Sequence, residues 1–171
     1  MIFVTVGHEL RFDRLIKALD DWSLASGNHD IFAQVAELGE DGYQPKNFKW
    51  QSFLNPDEFK SSFEKADLII AHAGMGTIIT ALTLKKPLVI VPRKGALKET
   101  RNDHQIATAE QFARRSGIYV AADETELGPV LDNLVANPPP GMSEAASPFA
   151  EPRLISAIRN FIYDGRETEG A

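Results

Sequence analysis

The chain's 171 residues, 43% hydrophobic and 25% charged, fit one globular domain with a tail. A formal net charge of −6 argues against nonspecific DNA or RNA binding, which needs clustered positive charge, yet leaves room for a local basic pocket around one phosphorylated small molecule. With no cysteine, disulfides, thiolate catalysis and cysteine-type zinc sites are excluded, and a reducing cytoplasm is compatible with that composition.

Met1 to Val6 is apolar but lacks a basic leader and stops at Gly7-His8-Glu9, so Ile2 to Val6 reads as a buried strand and not as a signal peptide. Asp13 to Trp22 places Leu15, Ile16, Leu19 and Trp22 on one helical face. After a turn at Gly27-Asn28-His29, Asp30 to Ala36 is a second strand. A loop with Gly39, Gly42 and Pro45 leads to a third strand, Phe48 to Leu54. Asn55-Pro56-Asp57-Glu58 opens a helix, with Asn55 as cap and Pro56 at the first helical position; Phe59 and Phe63 face inward. Leu68 to Ala71 is a strand that feeds the turn His72 to Thr77 and an apolar helix ending near Lys85-Lys86. Pro87 to Pro92 reads as a central parallel strand, followed by a charged loop, Arg93 to Thr100. Arg101 to Gln105 opens a helix carrying Ile106, Ala109, Phe112 and Ala113, capped by Gly117. Ile118 to Ala121 is a last strand, and Glu124 to Asn137 a helix with Leu127, Leu131, Leu134 and Val135 inward. Residues 1–137 therefore form one domain, 138–152 a Pro/Ser/Ala-rich linker, and 153–171 an amphipathic helix with a frayed tail. No apolar run approaches the roughly 20 residues of a membrane span, so a protein without a span of its own is expected.

Strands alternate with helices, which predicts an α/β fold with an open, mostly parallel, Rossmann-like sheet covered by helices. Ligands bind such sheets at the carboxyl ends of the strands. Three loops follow strands and should converge there: Gly7-His8-Glu9, His72 to Thr77, and Pro92 onward. Two readings of Gly74 and Gly76 stand side by side. They permit a tight strand-to-helix turn, or they let a phosphate approach the free N–H groups of a helix N-terminus. In the second reading Thr77 caps the helix or offers its hydroxyl to an oxyanion. The turn is not the dinucleotide fingerprint, because Ile79 stands where the third glycine belongs. Asn102, Asp103, His104 and Gln105 are either ordinary cap residues or pocket walls, and His8 is either a solvated histidine or a general base. Arg93, Lys94, Lys98 and Arg101 form a basic loop whose charges are either only solvated or, at the mouth of the pocket, placed for phosphate. No spacing forces His72, Asp103 and His104 into a metal site.

Ile2-Phe-Val-Thr-Val-Gly7 with Phe12-Asp-Arg-Leu15, then His72-Ala-Gly-Met-Gly-Thr77, Lys86-Pro-Leu-Val-Ile-Val-Pro-Arg93 and Asn102-Asp-His-Gln105 form an ordered set. On these residues the chain resembles the C-terminal, donor-binding half of family 28 glycosyltransferases of the GT-B fold, the MurG-like half. Within that group it is most similar to the stand-alone PssE type of bacterial exopolysaccharide synthesis. That type is itself similar to the soluble catalytic subunit of the eukaryotic dolichol-pathway N-acetylglucosamine transferase. The resemblance implies a UDP-sugar donor and no metal or other cofactor. It places the donor diphosphate on Gly74, Met75, Gly76 and Thr77, with His72, Pro92, Arg93, Asn102, His104 and Gln105 around it and His8 as catalytic candidate. It also implies a half-enzyme: a cytoplasmic transferase subunit brought to the membrane by an acceptor-binding, membrane-anchored partner of the PssD type. Two departures stand out. Thr80 occupies the position where many relatives carry a ribose-binding glutamate, and Gly7 runs straight into His8 where relatives read Gly-Thr-His. The alternatives are a nucleotide-binding module without catalysis, favoured by Thr80, and an enzyme like the UDP-sugar 2-epimerases.

Overall fold

The computed structural model of the protein describes residues 1–139 and, beyond them, Ser156 alone. The linker after Pro139 and the amphipathic segment from Arg153 therefore lie outside the described residues.

Six strands form one sheet, all parallel: β1 (Ile2–Thr5), β2 (Ile31–Gln34), β3 (Lys49–Gln51), β4 (Leu68–His72), β5 (Leu88–Val91) and β6 (Ile118–Val120). Their spatial order is β3-β2-β1-β4-β5-β6. The helices between them are α1 (Asp13–Ser26), α2 (Pro56–Lys65), α3 (Met75–Thr83) and α4 (His104–Phe112), with α5 (Glu124–Ala136) closing the domain. Fully buried apolar runs such as Ile2–Thr5 and Leu88–Val91 occur because both faces of a parallel sheet are covered.

Alternate side chains of β1 serve two cores. Val4 packs with Leu15, Ile16 and Leu19 of α1 and Leu127 and Leu131 of α5. Phe3 faces the other way, toward Phe63 of α2, Ile78 of α3 and Ala109 of α4, with Phe59 meeting it edge-on at 5.5 Å. Helix α2 starts as its sequence predicts. Asn55 accepts from the backbone N–H groups of Asp57 and Glu58, while the Glu58 carboxylate accepts from the Asn55 N–H.

Several expectations shift. Helix α4 starts at His104, not Arg101, and Ala113, not Gly117, caps it; Gly117 (φ +82) instead turns the chain into β6. Val135 is 51% exposed, so only Leu127, Leu131 and Leu134 of α5 face inward. Strand order reverses between β1 and β4, where the crossovers leave in opposite directions and a crevice forms outside the carboxyl ends of the strands. That point is flanked by Gly7 on one side and His72 on the other.

Candidate functional site

At this reversal lies a cavity of about 410 Å³, open at the carboxyl edge of the sheet. The turn after β4 forms one wall. Gly74 is extended (φ −91°, ψ 131°) and precedes the first helical residue, Met75. Its own N–H donates to the His72 carbonyl at 2.8 Å, and the Ile78 N–H donates to the Gly74 carbonyl at 3.1 Å. Between them, the N–H groups of Met75, Gly76 and Thr77 have no acceptor among the described residues, and no side chain caps the helix. Thr77 is therefore inside the first turn and does not act as the cap. Three unpaired donors at the positive end of a helix form a preorganised oxyanion cradle.

The two glycines of the turn have different reasons. A Cβ on Gly74 would lie 2.3 Å from Nε2 of His72. Gly7, at φ +83°, lies on another side of the same ring, and its Cβ would come within 3.2 Å of Cε1. The imidazole is thus wedged between Gly7 and Gly74. A Cβ on Gly76 would meet nothing within 4 Å. The fold does not need this glycine, which in a helix costs up to about 1 kcal/mol relative to alanine. Empty space beside unpaired donors is what a bound anion would require. His72 is largely buried; burial, reinforced by the Arg93 charge, lowers its pKa to about 4. At neutral pH it is an uncharged imidazole, and its buried Nδ1 has no protein partner among the described residues.

The other wall is an arginine clasp. Arg93 is only 3% exposed. Its Nη1 donates to the Arg11 and Glu99 carbonyls at 2.8 and 3.3 Å, and its Nη2 to those of Val6 and Leu10 at 2.9 and 2.6 Å. The guanidinium also stacks 4.6 Å over the buried Phe12 ring. Gln105 is buried as well, and its Oε1 accepts from the Arg93 backbone N–H at 3.1 Å. Behind the clasp, Arg14 grips Glu99 with two bonds of 2.8 and 2.9 Å, reaches Glu124 at 2.7 Å and donates to the Pro92 carbonyl at 3.0 Å. The loops after β1 and β5 are therefore stitched together.

The structure brings His8, His72, Gly74, Gly76, Thr77, Arg93, His104 and Gln105 to this cavity. It does not bring the rest. Met75 is 48% exposed and its side chain is not part of the lining. Pro92 is buried with its carbonyl on Arg14. Asn102 is exposed and turned onto His104, with its Oδ1 against both the backbone N–H and Nδ1. Arg93 corrects a further expectation: its four terminal N–H groups are held by main-chain carbonyls, so it shapes the wall and does not reach for phosphate. Thr80 donates to the Gly76 carbonyl of its own helix at 2.8 Å. Glu9 and Thr100 line the cavity and escaped sequence reasoning. Glu9 adjoins the singled-out His8 and could have been included on that ground; nothing about Thr100 marks it. No group of three or more metal-binding side chains occurs among the described residues.

The model of the glycosyltransferase family 28 C-terminal domain matches residues 1–156. The human UDP-N-acetylglucosamine transferase subunit ALG13 is 27% identical over 153 residues, 85% of this chain. The chain spans only 13% of that protein's length. The subunit of the same name from Yarrowia lipolytica is 33% identical over 145 residues, covering 75% of this chain and 68% of the relative. The crystal structure of Acinetobacter baumannii MurG shares the fold: TM-score 0.56 at 23% identity, covering 78% of this chain and 40% of that one.

Proposed function

Because the chain belongs to the family of glycosyltransferase family 28 C-terminal domains, we propose that its cavity binds a UDP-sugar and that the protein is the donor-binding subunit of a two-part glycosyltransferase. The carrying observation is the first turn of α3, where three unpaired N–H groups adjoin open space at Gly76. The diphosphate would accept from Met75, Gly76 and Thr77, with the neutral His72 imidazole beside it. Negative charge builds on the departing diphosphate as the glycosyl bond breaks, and the helix end stabilises it without rearrangement and without a metal. His8, exposed at the mouth, is the candidate for taking the acceptor's proton.

The reading extends to a partner. The chain matches 40% of MurG, and its curated relatives are called subunits of a UDP-N-acetylglucosamine transferase. The partner would be a membrane-anchored, acceptor-binding lobe of the PssD type, and this chain its PssE-type counterpart in surface polysaccharide synthesis on the cytoplasmic side. No helix among the described residues is long and apolar enough to cross a membrane, in keeping with an anchor supplied by the partner.

Calorimetry with UDP and UDP-N-acetylglucosamine tests the site. The wild type should bind, and Gly76→Asp, which puts a carboxylate among the donors, should abolish binding without unfolding the protein. Undiminished binding by that variant would remove the diphosphate from the turn. Transfer to a lipid-linked acceptor should require the co-expressed partner; full activity of the isolated chain would refute the half-enzyme reading.

A further inference from the structure

The loop after β1 is held everywhere except at its tip. Arg93 takes the carbonyls of Val6, Leu10 and Arg11, and the Gln34 side chain takes that of Gly7 at 3.1 Å. The carbonyls of His8 and Glu9 accept no hydrogen bond among the described residues. Both side chains are exposed and line the cavity, and Nε2 of His8 lies 4.0 Å from Oε1 of Glu9. Glu9 is the one carboxylate in that lining among the described residues. The cavity is thus polarised. The end of α3 attracts an anion, while Glu9 repels one and suits neutral donors. Vicinal hydroxyls match a carboxylate, which has two oxygens and only accepts.

We propose that Glu9 accepts hydrogen bonds from sugar hydroxyls of the bound nucleotide-sugar, and that Arg93 is the positioning residue that presents it. This rests on reading the cavity as a nucleotide-sugar site. A buried guanidinium with four carbonyl partners and an aromatic ring beneath it holds the chain on both sides of the tip before a ligand arrives, which keeps Glu9 at the cavity. Preforming the wall removes the ordering cost that a loose loop would impose on binding.

Titration calorimetry on the full chain with inorganic pyrophosphate, UDP and UDP-N-acetylglucosamine tests this. Glu9→Gln should not weaken pyrophosphate binding, since it removes a repelling charge, and should weaken a sugar-bearing ligand by about tenfold, the loss of one charge-assisted contact. A loss already seen with UDP assigns the ribose; a loss confined to UDP-N-acetylglucosamine assigns the transferred sugar. Arg93→Lys should weaken the same ligands, and the double variant should bind no worse than the weaker single one, because Arg93 acts through Glu9. Wild-type binding of all three ligands by Glu9→Gln overturns the proposal, as does an Arg93→Lys loss equally large for pyrophosphate. A wild type that binds none of them removes the nucleotide-sugar reading itself, and this inference with it. Glu9 lies on the surface, so its variant remains decisive even if Arg93→Lys fails to fold.

Discussion

The two walls of the cavity use the same backbone chemistry in opposite ways. In the clasp, the carbonyls of Val6, Leu10, Arg11 and Glu99 are occupied by one buried guanidinium. In the turn, the N–H groups of Met75, Gly76 and Thr77 are occupied by nothing among the described residues. A wall whose polar groups are satisfied internally gives shape; a wall whose groups are unsatisfied leaves a ligand to complete it. His72 belongs to both. Its ring is wedged against the turn at Gly74, and its charge state is influenced by the clasp at Arg93.

Removing the clasp should have the largest effect. Arg93→Met leaves four main-chain carbonyls without their donor and should lower the unfolding free energy by about 3–5 kcal/mol in a urea titration. A loss under about 1 kcal/mol would show that the loops stand without it. Next is Gly74→Ala, whose Cβ falls 2.3 Å from the His72 ring. Overpacking of this kind should lower stability by about 2–3 kcal/mol, read from thermal melting; an unchanged melting temperature would contradict the wedge. The third effect is pH-dependent. His72 has a folded pKa of about 4 against its ordinary 6.5, so between these values the unfolded chain binds a proton that the folded one does not. Its contribution is intact above the ordinary value and is lost as pH falls toward the folded one, by about 3 kcal/mol in all. His72→Asn should flatten that part of the stability profile; a parallel profile would contradict the burial. The smallest change has the opposite sign. Gly76→Ala should raise stability by up to about 1 kcal/mol through helix propensity, while weakening UDP binding. If it destabilises the protein, the space beside Gly76 is not free.

The sheet was legible because β1, β4 and β5 are short, continuous apolar runs, a pattern that parallel strands buried on both faces impose. Their order was not, since strand pairing is set by contacts that local periodicity does not carry. The turn was legible from Gly74 and Gly76, but the reasons for them were not: one makes room for His72 and the other for nothing among the described residues. Arg93 was misread for a physical reason. An arginine opening a basic loop after a strand reads as a phosphate ligand, and only the folded chain places Phe12 beneath it and carbonyls from residues 82 to 87 positions away around it. Met75, Pro92 and Asn102 neighbour lining residues in sequence, yet helix and loop geometry turns their side chains elsewhere, although the Met75 N–H stays in the cradle. Val135 shows the same limit in α5, where an apolar residue beside Leu134 lies off the buried stripe.

The clasp spans 87 residues between Val6 and Arg93. Contacts so distant in sequence form late, after local helices and neighbouring strand pairs. The cavity also needs the Gln105 side-chain oxygen, which accepts from the Arg93 backbone N–H. A chain still emerging from the ribosome therefore has no site until α4 has appeared and β5 has joined the sheet. A ligand introduced during refolding cannot guide the early steps; it should chiefly slow the return from the finished state. Competence to bind and completion of the sheet arrive as one event.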